Sequence, residues 1–138
     1  MRKKFIPVIC LLLAGCFLLC GCQMINTSDK KVADVDFTVV PSEELPAEVT
    51  TLIEERKKDA FQMAYSDGQY TYIIIGYGVQ PTGGYSIKVN EVYQGENALW
   101  VDTDLIGPEK TESPEAAETY PYVVIKIEVT DQTIQFKK

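Results

Sequence analysis

Histidine is absent from the 138 residues, and no cysteine follows Cys22. Without an imidazole there is no Ser-His-Asp or Cys-His nucleophile pair. All four cysteines (Cys10, Cys16, Cys20 and Cys22) stand in the first 22 residues, so no later residue can form a disulfide or a thiolate metal site. Positive charge is scarce as well: 13 Lys plus Arg stand against 20 Asp plus Glu, a net −7. Phosphate contacts need clustered Lys and Arg, so nucleic acid is not an expected partner. There is no internal repeat or low-complexity tract, and the length fits one domain.

What is present begins with a leader. Met1-Arg2-Lys3-Lys4 is a basic start, and the apolar run Phe5–Leu19 covers 15 residues, short of the roughly 20 that span a membrane. It ends in Leu19-Cys20-Gly21-Cys22, which resembles the lipobox of bacterial lipoproteins. That resemblance implies diacylation of the cysteine sulfur, with the cysteine as new N-terminus. Leu13-Ala14-Gly15-Cys16 is the better-formed lipobox taken alone, but cleavage there would leave an apolar run of about eight residues and put the apolar Phe17-Leu18-Leu19 directly after the new N-terminal Cys16. Cys22 is therefore the expected acceptor, with Cys16 as the alternative. The expected organisation is a signal peptide over residues 1–21, a lipidated cysteine and flexible tether over 22–34, and one domain over 35–138. Loss of Arg2, Lys3 and Lys4 lowers Lys plus Arg from 13 to 10 against 20 acidic residues, a net −10. So acidic a body does not adhere to anionic lipid; two acyl chains would hold it at the extracytoplasmic face of the cell membrane.

The most tightly specified stretch is Pro81-Thr82-Gly83-Gly84-Tyr85. Pro81 suits the second position of a turn, and Gly83 and Gly84 both admit positive φ. Tyr85–Tyr93 then alternates as a strand, with Asn90-Glu91 out of phase and hence a predicted bulge. Further strands are predicted over Val35–Val40, Gln69–Gly76 (with Ile73, Ile74 and Ile75 buried on both faces), Ala98–Asp104, Tyr122–Val129 and Thr133–Phe136. Val49, Leu52, Ile53, Ala60, Phe61, Met63 and Ala64 predict an amphipathic helix from Ala47 to Tyr65. Pro46 sits in its first turn and Ser66-Asp67-Gly68 at its stop. Gly107–Thr119 reads as a long acidic loop without core residues. The expected fold class is α+β: one N-terminal amphipathic helix on a mostly antiparallel sheet of five or six strands, curled or sandwich-like.

Gly78-Val79-Gln80-Pro81-Thr82-Gly83-Gly84-Tyr85, an alternating strand, and then Tyr120-Pro121-Tyr122-Val123-Val124-Ile125-Lys126-Ile127 follow in order. This arrangement resembles the C-terminal domain family of the protease-complex subunit PrcB, across roughly Tyr70–Phe136. The resemblance implies an extracytoplasmic lipoprotein that binds and stabilises a surface protease complex.

The residues offer little chemistry beyond contact. Asp102 and Asp104 share a strand face and with Glu91 or Glu96 could ligate Ca²⁺, although a solvated strand end is the expected reading. No cofactor, metal or catalytic residue is expected, and the chain is not read as an enzyme. Seven tyrosines (Tyr70, Tyr72, Tyr77, Tyr85, Tyr93, Tyr120 and Tyr122) lie in the strand region. Most read as sheet packing; Tyr77, Tyr85 and Tyr120 adjoin Gly or Pro turns and are contact candidates. Tyr120-Pro121 is a candidate cis bond. The expected function is a non-catalytic protein-interaction module with Pro81, Thr82, Gly83, Gly84, Tyr85 and Tyr120 as its contact loop. The alternative is a peptidase inhibitor that plugs a cleft with the same loop, as β-sandwich inhibitors with a similar Pro-Thr-Thr-Gly-Tyr-like loop do.

Overall fold

Ile73, Ile74 and Ile75 stand in succession, and successive side chains of a strand point to opposite faces. A run like this stays out of water only if both faces of its sheet are covered. In the computed structural model, which describes residues 28–138, both are. The chain runs β1 (Ala33–Asp34), β2 (Thr38–Val39), a 3-10 turn (Ser42–Glu44), α1 (Ala47–Arg56), β3 (Ala60–Ser66), β4 (Tyr70–Tyr77), β5 (Ser86–Gln94), β6 (Leu99–Ile106), β7 (Tyr122–Glu128) and β8 (Ile134–Phe136). The strands form two sheets, ordered β1-β5-β6-β8 and β2-β7-β4-β3. Every pairing is antiparallel except β6 with β8.

The second sheet lies between two covers. On one face Ile73, Ile75, Val123, Ile125 and Ile127 meet Val92, Leu99 and Val101 of the first sheet. On the other, Tyr72, Ile74 and Val124 pack with Val49 and Ile53 of α1. The result is a mostly-sheet α+β fold in layers of helix, sheet and sheet. The leader, with Cys16 and Cys22, lies outside the described residues. Among the described residues, no helix is long and apolar enough to cross a membrane.

Several expectations change. The sheet of five or six strands is two sheets of four. The helix predicted to Tyr65 stops at Arg56, and Ala60–Ser66 is a strand paired with β4 along its whole length. Phe61 and Tyr65 are four apart, which suits a helix face. Phe61, Met63 and Tyr65 also alternate, which suits a strand face, and so short a run does not decide between the periods. Pairing with β4 decides it, placing all three on the α1 side of the sheet. Pro46 caps α1 and lies just outside its first turn.

The single strand expected over Val35–Val40 is instead a crossover. β1 joins β5 in one sheet and β2 joins β7 in the other, while Val35 fills the inter-sheet core and Val40 the helix-side core. Packing also reaches back beyond Val35 into the expected tether. Trp100 Nε1 donates to the Ser28 carbonyl at 3.1 Å and the Tyr93 hydroxyl to the Asp29 carbonyl at 3.0 Å. Lys31 pairs with Asp34 and Glu91, and these partners hold its ammonium above the usual lysine value, Asp34 most. Val129, expected as the last residue of the strand Tyr122–Val129, lies past the end of β7 and is exposed. The predicted bulge is present: the β5–β6 register shifts between Val89 and Glu91, which returns Val92 to the core.

Candidate functional site

The Pro81–Tyr85 turn is set by one glycine and then fastened by another part of the chain. Gly84 takes φ +82°, where a side chain would crowd its own backbone; Gly83, expected to share that role, does not. A Cβ on Gly84 would also meet the Pro108 ring at 2.9 Å. The Tyr85 ring lies beside Gly107. The acidic loop read as lacking core contacts is therefore the wall against which the turn rests.

The wall is bonded as well as packed. Gln80 N–H donates to the Thr119 carbonyl at 2.8 Å, and Thr119 N–H returns to the Gln80 carbonyl at 3.0 Å. Thr119 Oγ1 donates to the Thr82 carbonyl at 2.7 Å, and Gly83 N–H to the Glu115 carbonyl at 3.2 Å. Tyr77 N–H reaches the Pro121 carbonyl at 3.1 Å. Backbone groups that would otherwise need water are thus paired across two loops.

This clamp brings Tyr120 next to the turn, because it follows Thr119 directly. Its ring lies beneath Lys57, the residue that caps the end of α1, whose ammonium is 5.2 Å from the ring centroid, a cation–π contact. Glu54, 2.8 Å from Lys57, holds that ammonium above the usual lysine value. No peptide bond among the described residues is cis, Tyr120–Pro121 included. The Thr82 hydroxyl is used at home, donating to the Gly83 carbonyl at 3.0 Å. The water-facing crest of the turn is Pro81 and Gly84, with Thr82 and Tyr85 half-buried. Val79, 47% exposed, stands beside it. Sequence reading missed Val79, whose one local signal is an apolar residue bracketed by a glycine turn.

The other tyrosines mostly hold the fold. Tyr72 and Tyr93 are buried, and burial pushes the Tyr72 phenol up. The Tyr77 hydroxyl shares a 2.8 Å hydrogen bond with Thr103 Oγ1, linking β4 to β6 across the sandwich. Tyr70 sits under Lys126, and Tyr93 under Lys137; the hydrogen bond that the Lys137 ammonium donates to the Tyr93 hydroxyl oxygen is the main cause that raises its pKa. Tyr122 joins the helix-side core.

Asp104 accepts from Asn90 Nδ2 at 2.9 Å, and Asp102 stands opposite Glu91, itself engaged by Lys31. Among the described residues no group of three or more acidic, cysteine or histidine side chains is placed to hold a metal. A groove of about 550 Å³ opens between the sheets, lined by Phe61, Gln62, Tyr77, Thr103, Leu105 and Lys137 among others. It had no sequence signature, since its walls come from β3, β4, β6 and the chain's last residues, which are far apart in sequence.

These features define a two-sheet, mostly-β module with one clamped turn. Residues 71–128 match the family model described as PrcB C-terminal. The match takes in nearly all of β4, the clamped turn, its wall and strands β5 to β7, and leaves out β1, β2, α1, β3 and β8. Over that stretch the chain resembles the PrcB C-terminal family. No curated protein and no solved structure gave a match.

Proposed function

We propose that this chain is a non-catalytic interaction module, anchored by lipid on Cys22 at the extracytoplasmic face of the cell membrane, that stabilises a surface protease complex. The observation that carries it is the PrcB C-terminal match over residues 71–128, a family that suggests a protease-complex-associated, protein-binding role. The exposed Pro81 and Gly84, with Val79 beside them, support a contact role, because a pre-fastened turn loses little freedom on binding.

Two measurements test the two halves separately. Deleting the gene in the source cell should lower the level of a surface protease, and the tagged full-length chain should copurify with that protease. Unchanged protease levels with no protease copurifying would count against the partner, and direct inhibition of a peptidase by the chain would replace stabilisation with the inhibitor reading. Labelled fatty acid should enter the chain and be lost in Cys22→Ala; label that persists in Cys22→Ala but disappears in Cys16→Ala would move the anchor.

A further inference from the structure

Each sheet has two edges, and three of the four are cut short. β1 and β2 have two residues each and β8 has three. Short edges offer too few free backbone groups to recruit another strand. β3 is different: its seven residues pair with β4 from Ala60–Tyr77 to Ser66–Thr71 without a bulge. Its sequence, Ala-Phe-Gln-Met-Ala-Tyr-Ser, carries no charge and no proline, the usual means of blunting an edge. Among the described residues, no backbone group of Ala60–Ser66 bonds anything beyond its own hairpin.

The same strand reads nearly alike in both directions about Met63. Ala60 mirrors Ser66, Phe61 mirrors Tyr65, Gln62 mirrors Ala64, and Met63 mirrors itself. We propose that β3 pairs antiparallel with β3 of a second copy of this chain, with Met63 on the two-fold axis. A two-fold perpendicular to the sheet keeps both α1 helices on one face, so paired residues must come from the same face of each copy. With Met63 on the axis all seven residues pair. Phe61 lies opposite Tyr65 and Met63 opposite Met63 on the helix side, where aromatic and apolar cross-strand pairs are favourable. Those three side chains are only half-buried in one copy, and a second copy would cover their open flank. Ala60, Gln62, Ala64 and Ser66, exposed on the other face, pair as small or neutral groups.

The product is one continuous eight-stranded sheet ending in two-residue β2 at each side, so the assembly closes as a dimer. Asp59 and Asp67 flank the strand and face each other across the axis. Their repulsion confines pairing to the seven residues and is relieved by salt. This assembly is independent of any protease partner.

Sedimentation equilibrium of the full-length chain in non-ionic detergent tests it. The expected mass is that of two chains, with association strengthening as salt rises. Ala64→Lys places a charge on the uncharged edge and should weaken the dimer roughly tenfold. Ser86→Lys, on an exposed position of β5, should leave it unchanged. Met63→Cys under mild oxidation should give a peptide pair cross-linked through the introduced thiols of the two copies, identifiable by mass spectrometry whatever the N-terminal cysteines do. A monomer at all concentrations, a dimer indifferent to Ala64→Lys, or capture of an unrelated strand at β3 in place of a second copy would overturn the proposal.

Discussion

β4 and β5 are neighbours in the chain and similar in length, yet they follow opposite rules. β5 keeps Ile87 and Val89 inward and leaves Ser86 and Lys88 in water. β4 buries Thr71 to Gly76 without a break. The difference lies in what covers each sheet. One face of the β5 sheet meets the core, and the other meets solvent except where Ser28 and Asp29 cross Trp100 and Tyr93. The β4 sheet has the first sheet on one side and α1 on the other. If both covers make true cores, truncation on either face of β4 should cost alike. Ile73 and Ile74, both at 0% exposure, point to opposite faces, so Ile73→Ala and Ile74→Ala should each lower stability by about 2–5 kcal/mol in urea unfolding. Ser86→Ala on β5 should stay within about 0.5 kcal/mol. A mild Ile74→Ala beside a severe Ile73→Ala would show that α1 covers the sheet only loosely.

The same contrast explains what could be read in advance. β5 and β7 declared themselves through alternation, and the bulge through the phase of Val92. β4 declared itself through three β-branched residues in a row. β3 did not, because Phe61, Met63 and Tyr65 satisfy the strand period while Ala60, Phe61 and Ala64 satisfy the helical one. Only pairing to β4, outside any local window, chooses. The candidate site divides the same way. That a glycine would take positive φ within the Gly83-Gly84 pair was legible. The hydrogen bonds from Thr119 and Gly83 into a loop more than 30 residues away were not, since a long-range backbone clamp has no composition of its own. The packing of Ser28 and Asp29 on Trp100 and Tyr93 was hidden for the same reason: polar residues there signal a tether, while their carbonyls are what the sheet uses.

The clamp gives an intermediate test. Gly84→Ala must hold a methyl at φ +82° against Pro108, and the left-handed conformation alone costs about 1–2 kcal/mol. The expected loss is of that order, smaller than truncating β4 because both loops can shift at the surface. Gly83→Ala is the control: open space surrounds its would-be Cβ and its φ is not positive, so it should be nearly silent. Equal losses at the two glycines would mean that both positions, and not Gly84 alone, set the turn.

The smallest expected effect is at the β3–β4 hairpin, where a side chain fixes the register that the buried face of β4 requires. The Asp67 carboxylate accepts N–H bonds from Tyr70 at 2.7 Å and Gln69 at 2.8 Å. These bonds, Tyr70 first, hold its acid below the usual aspartate value. A lowered folded-state pKa means that the unfolded chain binds the proton more readily, so the stabilisation is present above the ordinary aspartate range near about pH 4 and fades as pH falls through the folded-state value. Asp67→Asn keeps an acceptor oxygen but cannot titrate. The urea midpoint of the parent should therefore fall more between pH 5 and pH 2.5 than that of Asp67→Asn, with a small difference because the carboxylate faces water. Parallel acid profiles would mean that Gly68, at φ +89°, and the in-register β3–β4 pairing set the turn without the carboxylate.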